Sequence, residues 1–171
     1  MQLSRFTDLG LRAMMRLAVS RSGDERVTTK LIARQINASE HYVAKAVTKL
    51  SDLGLIAAQR GRAGGIVLTE RGRSASVGGI VRELEGGSAV VDCHGDQPCP
   101  LAGACRWRHA LADAQEAFYQ ELDKYTLSDL VDRHVIDVLL APPGDQSLTI
   151  GASPLALPCS AAASTPASQG V

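Results

Sequence analysis

The chain has 171 residues, 45% of them hydrophobic, and a formal net charge of zero. That length suits one domain with an appended element, and no run of roughly 20 apolar residues is present to span a membrane. The balanced total conceals a division. Residues 1–75 hold 13 Lys and Arg against 6 Asp and Glu, whereas residues 76–171 hold 5 against 12. A basic half is the electrostatic footprint of a polyanion binder, although a solvated basic face on an ordinary domain produces the same count.

The opening, MQLSRFTDLGLRAMMRLAVSRSG, is not a secretory signal, because Arg12 and Arg16 interrupt its apolar run. A cytoplasmic protein is therefore expected, in which thiols stay reduced and serve as ligands rather than disulfides. Residues 4–21 have helical periodicity, with Phe6, Leu9, Ala13, Leu17 and Ala18 on one face and Arg5, Asp8, Arg12 and Arg16 on another. A second helix fits 28–36 with Thr28 or Thr29 as its cap, and a turn follows at Asn37-Ala38. Ser39 can cap a third helix through 53, with Glu40 placed well against its dipole and Gly54 as the stop.

Two short apolar stretches, Leu55 to Ala58 and Ile66 to Leu68, flank the basic glycine-rich tip Arg60-Gly61-Arg62-Ala63-Gly64-Gly65. That is a β-hairpin pattern. Thr69 can cap a fourth helix through about 85, ended by Gly86-Gly87. A loop over 88–105 carries Cys93, Cys99 and Cys105 at C-x5-C-x5-C spacing. A long helix is expected from about Pro100 to Lys124, striped by Trp107, Leu111, Ala114, Phe118, Leu122 and Tyr125, and a short one over 126–140. The stripe packs either on the protein's own core or on a second copy; we favour the homodimer. From 141 to 171 the chain is rich in Pro, Gly, Ser and Ala and is expected to be disordered. Cys159 lies in that tail and is unrelated to the loop.

Helix, helix, turn, helix and a basic-tipped hairpin make a mainly α, winged helix-turn-helix arrangement, in which the later helix of the pair enters the major groove. Val43, Ala46, Val47 and Leu50 face inward on the 39–53 helix. Ser39, His41, Tyr42, Lys45 and Lys49, with Thr28 and Thr29 at the start of the preceding helix, are the candidate DNA contacts there. Arg60 and Arg62 suit insertion into a narrow minor groove. The organisation expected is a DNA-binding domain over 1–87, a metal loop over 88–105, a dimerisation helix and short C-terminal helix over 100–140, and a tail over 141–171.

The segments LSRFTDLGLRAMMRLA, VTTKLIARQINASEHYVAKAVTKLSDLGLI, RGRAGGIVLT and VRELEG, with the loop CHGDQPCPLAGAC, carry a family resemblance across about residues 1–135. The chain resembles the winged-helix iron–sulfur repressors that include IscR, and within them the nitric-oxide-sensing NsrR branch of actinobacterial type. The resemblance implies that Cys93, Cys99 and Cys105 are iron ligands, which accords with the preference of soft thiolates for iron–sulfur clusters or zinc. It implies a cluster of [4Fe-4S] rather than [2Fe-2S] type. IscR-like members supply a histidine three residues after the last cysteine; here that residue is Arg108, and His109 is one position too far. The NsrR-like alternative is an aspartate from the partner subunit's N-terminal helix, which Asp8 matches. Taken from the residues alone, Asp8 pairs with Arg12 at i, i+4.

The function so implied is a homodimeric repressor that binds double-stranded DNA, holds an iron–sulfur cluster and releases its operators on exposure to nitric oxide. Its targets would include nitric-oxide detoxification genes, such as one for a flavohaemoglobin. The alternatives are an IscR-type regulator of cluster supply or redox status and a zinc-stabilised DNA-binding module. No catalytic constellation or cofactor glycine motif supports an enzyme. Replacing Arg60 and Arg62 together with alanine should weaken operator binding and flatten its salt dependence, since fewer counterions are released. Lys45→Ala should instead alter preference among operator variants. Binding isotherms at several salt concentrations, on a panel of operators, separate the two effects.

Overall fold

The computed structural model describes residues 2–20, 26–59 and 64–141. Among these residues the chain forms seven helices and one two-stranded sheet. Helix α1 (Arg5–Val19) starts at Ser4, whose Oγ accepts a hydrogen bond from the Thr7 N–H at 3.2 Å. It buries Leu9, Ala13, Met14 and Leu17, as the helical period requires. Arg16 departs from the expected polar face: it is wholly buried. A buried guanidinium needs hydrogen-bond partners, and Arg16 donates from Nε to Gln35 Oε1 at 2.5 Å and from Nη1 to Ser20 Oγ. The first two helices are thus joined by a polar bond inside an apolar contact.

Helix α2 (Thr29–Gln35) is capped by Thr28, whose Oγ1 accepts from the Leu31 N–H. Asn37 then takes a positive φ of 50°, a conformation that Asn tolerates better than most residues. Helix α3 (Glu40–Asp52) follows, with Ser39 at the cap position, although its hydroxyl makes no capping bond. Val43, Ala46 and Leu50 are buried and Val47 is half-buried. Gly54, at φ +68°, stops the helix. Strands β1 (Ile56–Gln59) and β2 (Gly65–Leu68) pair antiparallel, with Ile56 opposite Leu68 and Gln59 opposite Gly65. The Ile66 N–H donates to the Val27 carbonyl at 2.8 Å, which ties the hairpin to the entry of α2. Helix-turn-helix and hairpin therefore form the winged arrangement expected from the sequence.

The expected fourth helix is two. Helix α4 (Glu70–Ser74) is capped by Thr69, and Ala75 is extended. Ser76 then restarts the chain as the cap of α5 (Val77–Glu85), its Oγ accepting from the Gly79 N–H at 3.0 Å. Gly86, at φ +70°, ends α5. Helix α6 (Arg106–Leu122) begins later than the expected Pro100, because Cys105 occupies the cap position. Helix α7 (Arg133–Leu140) also begins late: Thr126 donates twice to Asp129 Oδ2 in a preceding turn, and Asp132 provides the cap.

The main core gathers α1, α2, α3 and the hairpin around Met14, Ile32, Val43 and Leu50, with Ile80 and Leu84 of α5 packed into it. A second, smaller core joins α5 to α6 through Val77, Val81 and Tyr119. Tyr119 is the one buried residue of α6, while Trp107 is 67% exposed and Tyr125 is also exposed. A single chain therefore leaves much of the α6 apolar stripe uncovered. Among the described residues no helix is long and apolar enough to cross a membrane. The tail over 142–171, with Cys159, and the hairpin tip carrying Arg60 and Arg62 lie outside the described residues.

Gly72 sits where α4 crosses the backbone below it. A Cβ there would lie 2.0 Å from the Leu55 carbonyl oxygen, and a backbone atom cannot rotate away. Gly72→Ala should lower unfolding free energy by about 1–3 kcal/mol, the usual range for overpacking. Urea denaturation of the variant should show a reduced midpoint with an unchanged slope.

Candidate nucleic-acid interface and cysteine loop

The exposed side of α3 presents His41, Tyr42 and Lys45 near its start, with Lys49 half-buried one turn on and Ser39 exposed just before. His41 and Tyr42 meet edge-on at 5.9 Å between ring centroids. The Arg5 guanidinium lies 6.0 Å from the Tyr42 ring centroid. Arg5 therefore adds a cation beside this face. Sequence spacing alone does not reveal that contact, because it crosses from α1 to α3. Thr28 and Thr29 are half-buried at the start of α2, and the Thr28 hydroxyl is engaged in its cap.

The cysteines lie between α5 and α6. Cys93, Cys99 and Cys105 are free thiols of intermediate exposure. The connection is a series of turns: the Cys99 N–H donates to the Cys93 carbonyl at 3.2 Å, and the Ala102 N–H to the Cys99 carbonyl at 3.0 Å. The Asp92 carboxylate accepts from the His94 N–H, so this pair is used in shaping the loop. Cys105 Sγ accepts from the Arg108 N–H at 3.4 Å, which directs the last thiol at the start of α6. Arg108 Nη1 also donates to the Ala102 carbonyl at 3.2 Å. Arg108, three residues after the last cysteine, fastens the second half of the loop.

Among the described residues no group of three or more His, Cys, Asp or Glu side chains converges as a metal site. The donor set nonetheless suits an iron–sulfur cluster: three free thiols on one short loop, with no disulfide competing for them. Among the described residues of its own chain Asp8 is not gathered with other metal-ligating side chains. Its Oδ1 accepts from Arg12 Nε at 2.8 Å in an exposed i, i+4 pair. Exposed pairs of this kind typically contribute only about 0.3–0.5 kcal/mol, so a competing ligand interaction can displace them.

Asp8 borders a cleft of roughly 590 Å³ that Gln2, Arg5, Arg12, Ile36 and Asn37 also line. At the start of α1, Glu85 of α5 accepts from the Ser4 N–H at 2.9 Å. Partial burial acts to raise the pKa of Glu85, but hydrogen bonds from Thr7 and Ser4 prevail and hold it below the ordinary carboxylate range. A depressed carboxylate stabilises the fold above its unfolded value and loses that contribution as pH falls. The charged Glu85 carboxylate is accordingly available to Ser4 and Thr7 at neutral pH.

Residues 3–133 match the Rrf2 family, described as iron-dependent transcriptional regulators. The chain is 56% identical over 140 residues to the HTH-type transcriptional repressor NsrR of Streptomyces coelicolor, covering 82% of this chain and 95% of that protein. It is 41% identical over 135 residues to the HTH-type transcriptional regulator NsrR of Geobacillus kaustophilus, covering 77% and 90%. Among solved structures, the fold is similar to that of CymR, the global cysteine regulator of B. subtilis, at 32% identity and a TM-score of 0.57, covering 76% of this chain and 95% of that one. It is also similar to T. potens IscR, at 26% identity and a TM-score of 0.58, covering 76% and 85%. With its winged helix-turn-helix and its cysteine loop in place, the chain belongs to the Rrf2 family of transcriptional regulators.

Proposed function

We propose that this regulator is a homodimeric repressor that senses nitric oxide through an iron–sulfur cluster held by Cys93, Cys99 and Cys105. The observation that carries this is the position of the three free thiols, on the one loop that joins the winged domain to the long helix α6. The 56% identity to a repressor named NsrR supports it. Exposed Tyr42 and Lys45, near the start of α3, read base edges in the major groove, while Arg60 and Arg62 serve the hairpin. The uncovered stripe on α6 is the natural seat for a second copy, since burying it removes about 25 cal/mol of unfavourable free energy per Å² of apolar surface.

Three thiolates leave one iron needing a further ligand. Arg108 cannot provide it, because guanidinium stays protonated and has no lone pair to give. Asp8 of the partner subunit is the donor we assign. Its ordinary bond to Arg12 is weak, and its carboxylate oxygen is a harder, more easily displaced ligand than thiolate. When bound, the cluster supplies iron that reacts with nitric oxide. With Asp8 of one subunit holding the cluster of the other, the cysteine loop would be tied to the partner's DNA-binding domain, and without that bond it would not be. Half-sites must sit about one helical turn, roughly 34 Å, apart, so a small rotation between the two domains lowers operator affinity. The [4Fe-4S] form and control of nitric-oxide detoxification genes belong to the same proposal.

Anaerobically purified protein should be coloured, and nitric oxide should change its visible spectrum while releasing operator DNA. A colourless, zinc-containing protein that ignores nitric oxide would sink the proposal. Alanine at Cys93, Cys99 or Cys105 should abolish iron content and visible absorbance, whereas Cys159→Ala should leave both unchanged. Asp8→Ala should retain a cluster with altered electronic spectra. In a mixed dimer carrying Asp8→Ala on one subunit and Cys93→Ala on the other, one cluster should keep all four native ligands. Spectra matching the double Asp8→Ala protein would instead place any ligation within one chain.

A further inference from the structure

The proposed sensor requires that a change at the cysteine loop be felt by the winged domain of the same chain. Two routes lead out of the loop. One is the backbone at Gly86-Gly87, where both residues take positive φ of about 70° and a Cβ would meet nothing within 4 Å. The other is α6, whose cap is Cys105 and whose far end lies against α5. A helix is a stiff lever, so what holds its far end decides whether displacement of Cys105 moves the winged domain.

That far end is held from α5, and one side chain of α5 grips it at two points. Arg82 of α5 donates from Nη1 to Asp123 Oδ2 at 2.7 Å and from Nη2 to Glu116 Oε1 at 2.8 Å. The two carboxylates are seven residues apart, two turns along the same face of α6, so a forked guanidinium fixes both the rotation and the slide of that helix. The guanidinium carbon also lies 4.9 Å from the ring centroid of Tyr119, the residue of α6 buried against α5. Asp123 is gripped again by Ser76, the α5 cap, whose Oγ donates to Oδ1 at 2.6 Å. The hydrogen bonds from Ser76 and then Arg82 hold Asp123 below the ordinary carboxylate range, so the grip is present at neutral pH and is lost on acidification. Backbone supports the same seam: the Val77 N–H donates to the Tyr125 carbonyl at 2.8 Å, and at Gly78 a Cβ would approach the Tyr119 carbonyl to 2.4 Å.

The near side of the lever is also tied in. Gln115 Nε2 donates to the Ser88 carbonyl at 2.8 Å and to the Tyr119 hydroxyl at 3.2 Å, joining the root of the cysteine loop to the ring under Arg82. One turn along α5 from Arg82, Glu85 accepts from Ser4 at the start of α1. Arg82 thus stands between the cysteine loop on one side and, through α5, the helix bearing Asp8 on the other.

We infer that Arg82 is a positioning residue for the sensing response: clamped to Asp123 and Glu116, it makes α6 and the winged domain move as one, so that a change at the cysteine loop alters grip on DNA. This rests on the cluster-dependent regulation proposed above. Arg82 touches neither the cysteines nor, by its place on α5, the exposed face of α3, so its loss should spare cluster and fold while disconnecting them.

The test uses the full-length dimer, purified anaerobically, with operator affinity measured in the cluster-loaded and cluster-free forms. The quantity read is the ratio of the two affinities. Allosteric couplings commonly span roughly 5–150-fold. Arg82→Met, which keeps the side-chain stem over Tyr119 but removes both ion pairs, should keep the visible spectrum and the iron content. Its affinity ratio should fall about tenfold or close to unity. An unchanged ratio beside a wild-type ratio well above one overturns the clamp alone. A wild-type ratio of one overturns the cluster-dependent regulation itself, and the clamp with it. Should Arg82→Met fail to fold or to hold a cluster, Glu116→Gln combined with Asp123→Asn breaks the same ion pairs from the exposed side of α6. A collapsed ratio there sustains the inference and a retained one removes it.

Discussion

Helix α5 must satisfy two neighbours at once, and the rest of the molecule is arranged around that requirement. Ile80 and Leu84 enter the main core with α1, while Val77 and Val81 face Tyr119 of α6. Glu85 receives the N–H of Ser4, and Arg82 reaches out to α6. Nine residues are few for these tasks, and small side chains make them compatible. Gly78 lets the α6 backbone come close, and Gly10 of α1 leaves room for Leu84. At Gly78 the close neighbour is the Tyr119 carbonyl, so the spacing of α5 and α6 is set by backbone contact, whereas at Gly10 it is the Leu84 side chain that fills the space.

The two cores differ in kind. The larger is apolar with one buried cation, Arg16, placed at the junction of α1 and α2. A hydrogen bond in that setting specifies orientation where packing alone would tolerate rotation. The smaller core is a thin apolar layer edged by charged bonds. Exposed ion pairs are weak individually, and their value at this seam is directional. The helix carrying the last cysteine is therefore located by geometry more than by burial.

Much of the winged domain was legible in the sequence because its signals are local. Thr28, Thr69 and Gly54 mark helix ends through side-chain caps or a left-handed backbone, and Val43, Ala46 and Leu50 carry the period of α3. The break between α4 and α5 was hidden because the apolar stripe runs on past it, and Ser76 shows itself as a cap only once Ala75 is seen to be extended. Arg16 was placed with the polar residues since nothing in the spacing announces Gln35, nineteen positions on, as its partner. The late starts of α6 and α7 follow from Cys105 and Asp132 capping where periodicity alone gives no boundary. At the candidate site the cysteine pattern was plain, whereas the seam under it was not. Arg82, Glu116 and Asp123 look in the sequence like ordinary solvated charges, and only the packing of α5 on α6 brings them together.

The sequence contains a single tryptophan, and it lies two positions beyond Cys105 with most of its surface exposed. Indole emission from this protein therefore arises from one place, the first turn of α6 beside the cysteine loop. Its wavelength and intensity depend on local polarity and on nearby quenching groups. Excited at the long-wavelength edge of indole absorption, where the three tyrosines scarcely absorb, the unlabelled chain therefore carries a local optical gauge of that loop, with the native side chains in place.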